Sequence, residues 1–106
     1  MDQEQIQKLQ FLEQSLQQIL MQKQAFQMDL SENISALEEI KKSDDTVYKV
    51  IGQLMIKVDK EKITEELIGK EKIIKTRIDS LEKQEQALSD QATSIREELM
   101  KSVNKK

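Results

Sequence analysis

Thr46-Val47-Tyr48-Lys49-Val50-Ile51-Gly52-Gln53-Leu54-Met55-Ile56-Lys57-Val58 is the one stretch of this chain that does not follow a helical pattern, and its reading decides the fold. β-Branched residues crowd it, and Gly52-Gln53 falls between Ile51 and Leu54, where a two-residue turn with Gly first suits the type II′ geometry. Such a turn sets Ile51 opposite Leu54, Lys49 opposite Ile56 and Val47 opposite Val58, all on one face, with Tyr48, Val50, Met55 and Lys57 on the other. Five of the six residues on the first face are apolar. A lone hairpin is marginal in water, so this face requires further strands or another surface to cover it.

On either side the sequence is helical in composition and period. Of its 106 residues, 35% are charged and 3% aromatic, with no Pro and two Gly, the profile of long helices rather than of a packed globule. The apolar residues recur regularly, which argues against disorder. A first helix is expected over 3–42, opened by a capping-box relation between Asp2 and Gln5 and closed by Lys41 and Lys42 at its negative end. Ser43, Asp44 and Asp45 then supply turn residues. Its heptads place Leu9, Leu16, Leu30 and Leu37 at a, and Leu12, Ile19, Phe26 and Ile40 at d, with Lys23 and Asn33 as polar seam residues.

Asp59 is a good N-cap for a second helix over 60–103, in which Ile78, Ala92 and Leu99 take a and Leu67, Ile74, Leu81, Leu88 and Ile95 take d. Glu71, Glu85 and Ser102 interrupt that seam. The hairpin folds the second helix back on the first, giving a single domain over 1–106: a mainly α, antiparallel two-helix coiled coil of about 40 residues per helix, or about 60 Å, with one central hairpin. Facing residues should have numbers summing to around 105, so that both chain ends share one tip. Lys23 then falls within about a turn of Glu85, and Asn33 near Glu71. Two readings of these polar pairs stand: they fix helix register, or their side chains snorkel from a thin seam.

The outward c and f positions of the first helix, Gln7, Phe11, Gln14, Gln18, Met21, Ala25 and Met28, carry no charge, whereas Ser80, Lys83, Ala87, Asp90, Ser94, Glu97 and Lys101 on the second are mostly polar. With Ile6, Met100 and Val103 near the expected tip, the stripe reads either as an adaptable binding surface or as a second seam for one fixed helix. Catalytic signals are missing: there is no His and no Cys, and no glycine-rich phosphate loop or metal-ligand cluster. Asp44-Asp45 and Glu65-Glu66 are turn and helix-surface acids, and Tyr48 reads as a packing residue. A net charge of −3 with interleaved signs offers no footprint for nucleic acid or an acidic membrane. The start Met-Asp-Gln-Glu-Gln has no leader character, and no apolar run approaches a membrane span, so a cytoplasmic location is expected.

This order of helix, single hairpin and helix, with Val47-Tyr48-Lys49-Val50-Ile51-Gly52 running into Leu54-Met55-Ile56-Lys57-Val58-Asp59-Lys60-Glu61, resembles the prefoldin family, in particular archaeal-like subunits of the β type. The resemblance extends over the whole chain, including Gln22-Lys23-Gln24 and Leu81-Glu82-Lys83-Gln84-Glu85, and departs from it at Gly69. It implies an assembly of two α-type and four β-type subunits whose hairpins join into an oligomeric β-barrel body, built here by Val47, Tyr48, Ile51, Gly52, Leu54, Ile56 and Val58. It also implies an ATP-independent chaperone, with no cofactor, that holds unfolded client proteins at its coiled-coil tips and delivers them to a group II chaperonin. Ile6, Phe11, Met21, Met28, Met100 and Val103 are the client-contact candidates. The competing expectation is a scaffolding coiled coil that docks one specific helix.

Overall fold

The computed structural model describes residues 3–44 and 46–104, the side chains of residues 103 and 104 excepted. Its elements are α1 (Gln3–Lys42), β1 (Thr46–Ile51), β2 (Leu54–Asp59) and α2 (Lys60–Asn104). Asp2 and Asp45, invoked above for a cap and a turn, lie outside the described residues, as does the side chain of Val103.

The strands pair antiparallel in the register the turn demands, Ile51 with Leu54, Lys49 with Ile56 and Val47 with Val58. Gly52 has φ +60° and no described non-glycine residue has a positive φ, so Gln53 does not. A type I′ turn requires positive φ at both central residues, and type II′ only at the first. The turn is therefore of the Gly-first kind. At the other end of the hairpin, Asp59 Oδ1 accepts the Glu61 N–H at 3.1 Å, capping α2. Ser43 closes α1 by donating its Oγ and N–H to the Ile40 carbonyl (2.8 and 3.2 Å), and Lys60 Nζ donates to the Ser43 carbonyl at 3.1 Å.

The chain divides into two compact units, Met1–Ala25 with Ile78–Lys106 and Phe26–Arg77. In the first, Leu12, Ala92 and Ile95 are buried and Leu9, Leu88 and Leu99 pack against them. Each is a heptad seam residue, and fully burying a Leu or Ile contributes about 1.5–3 kcal/mol. Ala92, with no exposed surface, lets the two backbones approach closely. The direction is antiparallel: Gln5 donates to Glu98 (2.8 Å), Arg96 to Glu13 (2.9 Å) and Lys23 to both carboxylate oxygens of Glu85 (3.2 and 3.4 Å).

In the second unit, Ile63 and Ile74 are buried together with one polar residue, Asn33. Asn33 lies within a turn of Glu71, as the register rule allows, but its hydrogen bond goes elsewhere. Its Nδ2 donates to the Leu67 carbonyl at 2.8 Å, a turn earlier, while Glu71 pairs with Lys75 along its own helix at 3.3 Å. A two-carbon side chain is too short to reach past the facing backbone, so it bonds that backbone instead. Asn33 Oδ1 is buried without a partner, a state that costs about 1–3 kcal/mol.

Gly69 lies within α2, and a Cβ built there meets nothing within 4 Å. Gly69→Ala should therefore stabilise the helix by about 1 kcal/mol, raising the thermal midpoint by about 4–8 °C. An unchanged midpoint by circular dichroism would mean that α2 does not melt with the rest.

Candidate interaction surfaces

The hairpin is a sheet of two strands only, and its side chains find little to pack on. On the face carrying Ile51, Leu54 and Ile56 these three are exposed, Leu54 by 65%, while Val47 and Val58 at the base are half-buried. The opposite face is as open: Tyr48 is exposed, and Val50 and Met55 are exposed by 67% and 69%. Tyr48, expected to pack, is thus uncovered in the chain by itself. The reason is geometric, since a strand sends alternate side chains to opposite faces and this hairpin has a helix-seam neighbour only at its base. The Lys49–Glu66 ion pair, 3.4 Å long and exposed, links β1 to α2 and contributes little energy. Two faces and two outer strand edges are therefore available for assembly.

The uncharged stripe of α1 is exposed as its heptad letters require. Phe11 (67%), Met21 and Met28 all stand in solvent, and so does Met100 on α2. Phe11, Met21 and Met100 belong to the first unit and Met28 to the second. Ile6 is half-buried. It occupies an e position, the flank of the seam where Glu13 and Arg96, also at e, reach across to each other.

Several exposed apolar residues escaped the sequence reading: Ile73 on α2, exposed by 62%, is the most open, and Leu20, Ile34 and Ile68 are less so. The signal was present: in Ile73-Ile74 adjacent residues lie about 100° apart on a helix, so only one can enter the seam, and the c/f stripe beginning at Ser80 runs back through Thr76, Ile73 and Gly69. Among the described residues no cluster of acidic, His or Cys side chains is placed to hold a metal, and no helix is long and apolar enough to cross a membrane.

Comparison with known proteins gives one family. The prefoldin subunit family matches residues 3–106. The chain is 37% identical over 89 residues to a prefoldin subunit beta of Thermococcus onnurineus, covering 82% of this chain and 77% of that protein. It is 32% identical over 106 residues to one of Methanosarcina acetivorans, covering 98% and 91%. Among solved structures, the prefoldin beta subunit from Thermococcus strain KS-1 superposes with a TM-score of 0.86 at 32% identity, covering 94% of this chain and 90% of that one.

Proposed function

The chain belongs to the prefoldin family, whose members are chaperones and not enzymes, and from that premise we propose that it is a holdase subunit that works without ATP. Its hairpin joins those of α-type partners, two α with four β, in a β-barrel body; the helix pairs capture non-native proteins, and the assembly passes them to a group II chaperonin in the cytoplasm. The observation that carries this reading is the hairpin with apolar side chains uncovered on both faces, a structure that is marginal alone and complete only in an assembly.

Holding then requires no chemistry. The exposed Phe11, Met21, Met28 and Met100 offer soft, adaptable apolar contacts, and several arms acting on one client add their weak contacts through effective concentration while each releases independently. Met100, on α2, extends the contact surface beyond the α1 stripe; Ile6 contributes its exposed part, and Val103 is assigned by its sequence position. Assembly residues are Val47, Tyr48, Ile51, Leu54, Ile56 and Val58, with Gly52 shaping the turn.

The test is to mix this chain with an α-type prefoldin subunit and measure native mass and suppression of aggregation of a chemically unfolded protein in the same samples. The expected result is a mixed hexamer that suppresses aggregation of several unrelated clients. A scaffold would instead give one saturable helical partner and no suppression, and that outcome would overturn the proposal.

A further inference from the structure

Methionine is ordinarily among the more buried residues of a folded chain. Here the four described methionines all stand in solvent, Met21 by 66%, Met28 by 68%, Met55 by 69% and Met100 by 64%. None belongs to the seam, whose buried apolar residues are Leu and Ile with one Ala. The chain contains no cysteine, so thioethers are the only sulfur that a two-electron oxidant meets.

This placement separates binding from folding. Oxidation of a core methionine breaks packing, because a polar oxygen is forced among apolar side chains. At the exposed positions the new oxygen enters water and the seam is left as it was. What changes is the surface, where a soft apolar side chain becomes a polar one. Met21 and Met28 share the uncharged stripe of α1 with Phe11, and Met100 stands on α2. Met55 lies apart from them, on the hairpin opposite Val50.

We propose that Met21, Met28 and Met100 are reversible oxidation sites whose state sets how strongly the helices hold a client, with fold and assembly unchanged. The thioether sulfur attacks one oxygen of a hydroperoxide. The S–O bond forms as the O–O bond breaks, the sulfur is oxidised by two electrons, and water or the alcohol leaves. A methionine sulfoxide reductase reverses the step with a dithiol: the sulfoxide oxygen departs as water and the two thiols become a disulfide. The proposal rests on the holdase reading for what is switched, and not for where the oxygen goes. It gives capture a chemical control that apolar contacts alone do not supply.

The experiment uses the oligomer formed with an α-type subunit whose own methionines are replaced by leucine. Met55→Leu, a volume-conserving change, removes the hairpin sulfur from this chain. Hydrogen peroxide is added and then destroyed with catalase, and the sample is divided among peptide mass spectrometry, native mass, circular dichroism and suppression of aggregation. We expect one oxygen gained at each of Met21, Met28 and Met100, with helicity and subunit composition unchanged. About tenfold more oligomer should then be needed for the same suppression. The loss is smaller than that expected for serine because a sulfoxide keeps its methylenes. Methionine sulfoxide reductases for both epimers, supplied with dithiothreitol, should restore suppression.

Met21→Leu, Met28→Leu and Met100→Leu made together provide the control, and this variant keeps Met1. Whatever its suppression before peroxide, that level should not change after it. Full suppression by a complex carrying all three sulfoxides would overturn the proposal, as would a loss that persists in the leucine variant. So would helicity or assembly that falls with oxidation, which would make these positions structural. An oligomer that suppresses nothing before peroxide fails the holdase reading instead. An apolar fluorescent dye, whose binding needs no client, then decides the switch: binding that falls on oxidation supports it, and equal binding overturns it.

Discussion

Ile51→Lys combined with Leu54→Glu is expected to reduce the assembly to single chains and small oligomers while leaving the hairpin and both helices formed. The two positions face each other across the turn, and an opposite-charge cross-strand pair contributes about 0.2–1 kcal/mol to a hairpin. The local structure is therefore kept. What changes is the surface offered to neighbours. Two apolar side chains worth about 1.5–3 kcal/mol each on burial are lost, and two charges must leave water, at several kcal/mol each unless perfectly paired. Even about 4 kcal/mol per contact weakens association roughly a thousandfold. Sedimentation equilibrium and far-ultraviolet circular dichroism on the same sample check the two halves of this statement. An unchanged mass would transfer assembly to the opposite face, Tyr48, Val50 and Met55.

Phe11→Ser, Met21→Ser and Met28→Ser made together should abolish most suppression of aggregation and leave the oligomer mass intact. All three side chains stand in solvent, so their removal costs the isolated chain almost nothing. If half of their transfer free energy is realised on a client, the loss is about 3 kcal/mol per arm, or roughly a hundredfold in affinity. If several arms act on one client, as proposed, the losses multiply through the assembly. Light scattering of a denatured test protein, titrated with wild-type and variant complexes, measures the effect. Full retained suppression would make the stripe a seam for a fixed helix.

The hairpin was legible because its determinants are local: a Gly able to adopt positive φ, a two-residue turn, and partners fixed by a period of two. The helices were legible because a seam repeats. What the sequence does not encode locally is distance across that seam. Lys23 reaches Glu85 because both side chains are long enough for an error of a few residues to be absorbed. Asn33 is not, and its partner is the Leu67 carbonyl rather than Glu71. Ile6 shows the same limit at a flank, where a letter in the heptad gives direction but not how much of the side chain the facing helix covers. Ile73 was lost for a different reason: it adjoins the seam residue Ile74 and lies before Ser80, where the reading of the α2 stripe begins. Both hairpin faces being open was only half foreseen, since alternation predicts two faces and does not say that neither is covered.

The uncovered hairpin also determines what happens to a copy that has not met its partners. Its outer strand edges and exposed β-branched side chains are a template on which other copies can add strands without limit. Lys49 and Lys57 project from opposite faces, one on each strand, and act as gatekeepers: any flat stack of identical hairpins must bury a row of like charges. They slow that reaction and do not remove the surface that drives it. Synthesis of this chain therefore has to be matched in amount to that of its partner subunits, because every surplus copy keeps that template uncovered.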